Sequence, residues 1–190
     1  MTAGYRIRRG GRRLRRMRAA GTAVTALLTL AGCGTAGYGA PVAPASMKVK
    51  SEAFISGTLA QRYTCLGKKI NPPLNWSAPP AGTKSLALIV DDSSAPITPF
   101  IYWLVFDINP GATDIQEDSL PTGARQAMNS ADTSVYDAPC PGSHPHSYRF
   151  TVYALNKTLD LPNGAPLLSV WHAIAAATIG RGRIVVSTSP

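Results

Sequence analysis

Long apolar runs, internal repeats and charged side chains are what this 190-residue chain has least of. Its longest weakly polar stretch, Ala19 to Ala31, is about 13 residues. That is short of the roughly 20 needed to cross a bilayer as a stable helix. Glycine and proline, at 17 and 16 residues, are too few and too aperiodic for a collagen-like or low-complexity protein. At 45% hydrophobic the chain is too apolar to be disordered. One globular domain with extras is expected.

Acids are also scarce, 10 against 19 Lys and Arg, which gives a net charge of +9. The excess sits at the front: Arg6, Arg8, Arg9, Arg12, Arg13, Arg15, Arg16 and Arg18 carry eight charges with no acid among them, and subtracting them from +9 leaves +1. The rest of the chain has no basic stripe to release counterions from a polyphosphate. No nucleic-acid partner is expected.

The arginines, the apolar stretch and Leu30-Ala31-Gly32-Cys33 follow one another in the order of an export signal. The last four resemble the bacterial lipobox, whose cysteine receives a diacylglyceryl group. Residues 1–32 therefore read as a lipoprotein signal peptide and Cys33 as the lipidated residue. Two or more acyl chains, palmitate among them, would give a stable lipid anchor on the extracytoplasmic face of the cell membrane. The bland alternative is an ordinary signal peptide cut near Ala36 or Ala40. Arg12-Arg13 and Arg15-Arg16 leave a twin-arginine route open. Residues 33–45, with Gly34, Gly37, Gly39, Pro41 and Pro44, read as a flexible tether. In an exported chain Cys65 and Cys140 are candidates for a disulfide, with two separate thiols as the alternative.

Residues 46–190 read mainly as β-structure. Ser85 to Asp91 and Phe100 to Ile108 are nearly continuous apolar runs, suited to neighbouring buried strands. Ser147 to Asn156 alternates, with Tyr148, Phe150, Val152 and Ala154 on one face. Pro166 to Thr178 has helical spacing through Leu167, Leu168, Trp171, Ile174 and Ala175, with Gly180 as a stop, and predicts a helix packed on the sheet. Ile184 to Val186 predicts a last short strand.

Polar residues at strand ends mark three candidate places: Asp91 to Pro96, Tyr102-Trp103, and Cys140 to Tyr148 with His144 and His146. Each has a structural reading. Asp92 before two serines suits a turn residue that caps backbone N–H groups, and Tyr102 and Trp103 suit a core. His144, His172 and the Trp171 face of the helix are assigned to structure.

Taken together the segments resemble one family, the phosphatidylethanolamine-binding proteins, and its bacterial branch in particular. The resemblance runs from about Phe54 to Gly180. It rests on Tyr63-Thr64-Cys65 with Gly67, Pro72-Pro73-Leu74-Asn75-Trp76, Pro80-Ala81-Gly82-Thr83-Lys84-Ser85-Leu86-Ala87-Leu88, Asp92 to Pro96, and Trp103. It continues through Tyr136, Pro139-Cys140-Pro141, His146, Tyr148, Phe150 and Tyr153-Ala154-Leu155. It implies a Greek-key β-sandwich with a small pocket at one end, where an Asp-Pro-Asp-Ala-Pro segment meets a Gly-x-His-Arg segment and holds a phosphate-like or carboxylate anion. By position Asp92 is the first aspartate and His146 the histidine. The implied ligand-binding set is Asp92, His146, Tyr102, Ser94, Pro96, Tyr136 and Cys140. This chain departs from the pattern in three places. Ser93 and Ser94 replace the proline and second aspartate, Tyr102 replaces the histidine before tryptophan, and Ser147 replaces the arginine after histidine. Hydroxyls in place of ionisable groups still hydrogen-bond an anion but bring no charge.

The expected function is a non-enzymatic, membrane-anchored binding protein for a small anion or phospholipid headgroup, without cofactor. Family members also act as inhibitors, so an envelope or host serine protease is a second candidate partner, and a second copy of the chain a third. An exported hydrolase would use Ser93 or Ser94 as nucleophile and His146 as base, with Asp92 or Asp91 orienting it, but the chain has no Gly-x-Ser-x-Gly elbow. A metal at Cys140, His144 and His146 has no obvious fourth ligand.

Overall fold

The computed structural model describes residues 44–94, 98–142 and 144–188. The signal segment 1–32, Cys33, the tether as far as residue 43, and Pro96 lie outside the described residues. The strands are β1 (Ala45–Ser46), β2 (Val49–Lys50), β3 (Leu74–Trp76), β4 (Ser85–Asp92), β5 (Phe100–Ile108), β6 (Asp114–Ile115), β7 (Arg125–Gln126), β8 (His146–Leu155) and β9 (Thr178–Thr188). The helix α1 spans Leu167–Ala177. Six strands form one sheet in the order β1-β9-β8-β4-β5-β7, and three form a second in the order β2-β3-β6.

β4 is buried at all eight positions because both of its faces are covered. Leu86, Leu88 and Val90 point into a core shared with Met47, Leu74 and Trp76 beside the second sheet. Ala87 and Ile89, one residue out of phase, point into a core closed by Val170, Ile174 and Ala177 of α1. A strand so enclosed reads as a continuous apolar run rather than an alternating one. β5 and β8 flank it, both antiparallel. The period-two parity of β8 sends Tyr148, Phe150, Val152 and Ala154 to the same core as Leu86. The architecture is the β-sandwich with a C-terminal helix that the sequence predicts.

The C-terminal strand differs from expectation. Instead of a short strand at Ile184 to Val186 after a stop at Gly180, the chain leaves α1 directly into β9 at Thr178, and β9 pairs along the whole of β8. Gly180 is a strand residue. A Cβ there would come within 2.8 Å of Pro80 Cγ, and one at Gly182 within 2.8 Å of the Met47 carbonyl carbon. These glycines admit the neighbouring chain, and they deprive the strand of an apolar signature. β1 pairs parallel to β9 at this spot, so Ala45, the last residue assigned to the tether, is a strand residue.

Gly182→Ala should force the Met47 backbone away and cost roughly 1–3 kcal/mol, as overpacking does. Thermal unfolding checks this, with a midpoint lowered by several degrees expected.

Candidate functional site

β4 and β8 end at the same edge, and their register sets the site. Asp92 lies opposite Tyr148, and Asp91 opposite Arg149. Strand parity then separates the two adjacent aspartates. Asp92 follows Val90 onto the face shared with Tyr148, and Asp91 follows Ile89 onto the α1 face.

Asp92 is 4% exposed, so its carboxylate needs partners. Oδ1 accepts the Ser94 N–H at 2.7 Å, and Oδ2 lies 2.7 Å from His146 Nδ1. The turn-capping role and the histidine partnership therefore coexist in one side chain. The His146 ring, about one-third exposed, lies parallel to that of Tyr148, with centroids 6.1 Å apart. Its Nε2 edge faces Gly142, where a Cβ would sit 3.2 Å away. Tyr148 is fully buried and meets Tyr102 edge-on at 5.6 Å. Its hydroxyl donates to the Cys140 carbonyl at 3.4 Å. Burial first, then the neighbouring Tyr148 and Asp92, holds the Tyr102 phenol well above its usual range. Burial likewise raises Tyr148. Both hydroxyls keep their protons across neutral pH and remain donors.

The serines hold the turn to β8. Ser93 donates to the Ser147 carbonyl through both its N–H and its hydroxyl, each at 2.8 Å, and Ser94 Oγ accepts the Ser147 N–H at 2.9 Å. Among the described residues neither serine hydroxyl bonds His146, whose Nδ1 is taken by Asp92. Cys140 is joined to Cys65 with Cα atoms 5.1 Å apart, and Cys65 N–H donates to Pro139 O at 3.0 Å. The sulfur is therefore no thiolate ligand, and the bond fixes the loop that runs past Gly142 to His146. Tyr136 belongs to an adjoining wall. It meets Trp103 edge-on at 5.6 Å, donates to Tyr63 O at 3.1 Å, and lines a cavity of about 380 Å³ with Trp103, Asn71 and Gln126.

One pairing escaped sequence reasoning. Arg149 Nε donates to Asp91 Oδ2 at 2.9 Å, with a second contact through Nη2. That hydrogen bond, more than any other influence, raises the Arg149 guanidinium further. The only signal was parity: three residues after His146 on the same strand, Arg149 takes the opposite face and meets the other aspartate.

A mainly antiparallel sandwich of two sheets, with a helix on the larger and a carboxylate–imidazole pair at its strand ends, is the class of structure in hand. The family model described as "Phosphatidylethanolamine-binding protein" matches residues 46–189, and the chain belongs to that family. It is 39% identical over 145 residues to a UPF0098 protein of Methanothermobacter thermautotrophicus, covering 73% of this chain and 96% of that one. It is 38% identical over 148 residues to a Mycobacterium tuberculosis protein named as a candidate lipoprotein, LppC, covering 75% and 73%. Among solved structures it is similar to Escherichia coli YbcL, titled a member of the mammalian PEBP family, with a TM-score of 0.70, 28% identity, and coverage of 76% and 98%.

The buried phenols give a pH test. Tyr63 donates to Glu117 Oε2 at 2.7 Å and is pushed up to about 12 by burial, then by that bond and the Glu117 charge. Burial also raises Tyr102, Tyr136 and Tyr148. Unfolded, each ionises near its ordinary value of about 10, so above that pH the unfolded chain holds fewer protons than the folded one. Stability should be intact below about pH 10 and fall as pH rises through the Tyr63 value of about 12. Thermal melts between pH 8 and pH 12 should show the fall, and Tyr63→Phe should make it shallower.

Proposed function

We propose that this chain is an exported binding protein, anchored to the extracytoplasmic face of the cell membrane through Cys33, that holds a small anion at His146 without transforming it. The anion is phosphate-like or a carboxylate, free or as part of a phospho-headgroup. The observation that carries the reading is the 2.7 Å contact of Asp92 Oδ2 with His146 Nδ1. With Nδ1–H donated to a buried carboxylate the ring is fixed, and its Nε2 edge, directed toward the Gly142 loop, becomes a donor when the ring is an imidazolium. An imidazolium there offers a charge-assisted hydrogen bond. Asp92 is a positioning residue, since its own charge repels the guest. Tyr102, whose hydroxyl is hydrogen-bonded to Tyr148, is a second polar group close to Asp92. Ser147, where the resemblance leads one to expect an arginine, makes the site a weaker anion trap than one that carries that charge.

One observation favours binding over hydrolysis: the Ser93 and Ser94 hydroxyls are both engaged with the Ser147 backbone, and among the described residues neither bonds the His146 ring. The membrane anchor is supported by the order of arginines, apolar stretch and lipobox, and by similarity to a relative named as a candidate lipoprotein.

The test is titration of inorganic phosphate, acetate and phosphoethanolamine into the full chain in detergent, read by native mass spectrometry and by histidine ring resonances. One anion per chain is expected to bind saturably. A charge-assisted hydrogen bond contributes about 1.5–3 kcal/mol, so His146→Gln should weaken binding at least about tenfold. Asp92→Asn should also weaken it by releasing the ring. Tyr102→Phe should change the ratio of phosphate to acetate affinity at an unchanged thermal midpoint. Saturable binding indifferent to His146→Gln and Asp92→Asn would refute the assignment.

A further inference from the structure

We infer that the outer face of α1, with Trp171 and the neighbouring Arg181, is a surface that lies against an anionic lipid bilayer. The sequence of α1, Leu-Leu-Ser-Val-Trp-His-Ala-Ile-Ala-Ala-Ala, contains no Asp, Glu, Lys or Arg. Val170, Ile174 and Ala177 are buried against the sheet. Leu168, 66% exposed, is on the outside with Ser169, His172, Ala175 and Ala176. A helix packed on one side of a soluble domain ordinarily shows charge on the other, and one apolar all round is ordinarily covered on both. Among the described residues no helix is long and apolar enough to cross a membrane.

The shape of this face and the place where the chain leaves it identify the cover. Trp171 sits between two hollows. One, of about 490 Å³, is lined by Pro99, Ile101, Leu167 and Leu168. The other, of about 310 Å³, is lined by Ile89, Tyr153, Ala175, Pro44 and Arg181. Pro44 is where the described chain begins, so the segment running back to Cys33 departs from the edge of this same surface. Ten residues of Gly- and Pro-containing chain separate Pro44 from Cys33, and the eleven Cα steps span roughly 17–20 Å by random-coil scaling. That is short enough to keep the α1 face at a bilayer in which Cys33 is anchored. Arg181 continues onto an adjacent hollow with Arg183, both exposed, and no acid lines any of the three. Tryptophan and leucine beside arginine suit the interface of a leaflet with negative headgroups. Asp92 and His146 occupy the sheet face opposite α1, so docking leaves the anion site open to the aqueous side.

This inference rests on the anchored reading of Cys33, and the experiment separates the two. The full chain is reconstituted with vesicles of phosphatidylglycerol and phosphatidylcholine in equal parts, acyl chains brominated, and with brominated phosphatidylcholine alone. Trp171 is the reporter, since Trp76 and Trp103 are only 6% and 3% exposed. Quenching of tryptophan emission is expected in the anionic vesicles and severalfold less in phosphatidylcholine. Trp171→Phe should abolish it, and Leu168→Asp or Arg181→Glu should reduce it severalfold at an unchanged thermal midpoint. Wild-type protein that floats with the vesicles but stays unquenched overturns the docking face and leaves the anchor standing. Cys33→Ser protein that floats as well as wild type, with Trp171 quenched, overturns the anchor and supports the docking face. Protection of Trp171 that rises with protein concentration and ignores lipid makes the cover a second copy of the chain and overturns the inference.

Discussion

A carboxylate with almost no access to solvent has to be matched by the protein, and much of this structure follows from how Asp92 is matched. One oxygen takes the N–H of Ser94 and the other takes a ring nitrogen of His146. The first bond makes the turn that ends β4, and the second ties that turn to the start of β8. Between them Ser93 and Ser94 bond both the N–H and the carbonyl of Ser147, so the corner is closed by backbone as well as side chain. The disulfide from Cys65 to Cys140 holds the loop that supplies Gly142 to the His146 ring. Among the described residues, what is left unmatched at this corner is the Nε2 edge of an imidazole, the group on which an anion-binding role depends.

Two adjacent aspartates on one strand take opposite faces and opposite tasks. Asp92 meets a histidine toward the second sheet, and Asp91 meets Arg149 on the helix side. Asp91 is 3% exposed, and a charge so buried is tolerated because its partner supplies two contacts. The sheet therefore has a polar end on both sides while its centre remains apolar, and α1 runs along one of those sides without a charged residue of its own.

The parts of the fold legible in the sequence are those with a long apolar signature. β4, β5, β8 and α1 follow from hydrophobic runs, from the parity of Tyr148 and Phe150, and from the spacing of Leu167, Trp171 and Ile174. β9 was legible only at Ile184 to Val186, because its first half alternates glycine with arginine and its glycines exist for the neighbouring backbone rather than for a core. Strands of two or three residues, such as β1 and β7, carry too few side chains to show a period. Of the site, Asp92 and His146 stood out through family resemblance, not local pattern, since 54 positions separate them. The clamping role of Ser93 and Ser94 was hidden because their partners are backbone groups of a distant strand. The partnership of Cys65 with Cys140 was a candidate in an exported chain but stayed open beside two separate thiols, because a separation of 75 residues says nothing about distance in space.

The central claim is that Asp92 fixes His146 through Nδ1 and leaves Nε2 to the ligand. Long-range nitrogen–proton NMR of the full chain, labelled with ¹⁵N at histidine, measures this directly. A proton on Nδ1 that persists in the absence of ligand, with phosphate addition moving the Nε2 resonance first, is the predicted result. A ring that carries its proton on Nε2 alone, with Nδ1 bare, or a phosphate titration that leaves both nitrogens unmoved, would contradict it.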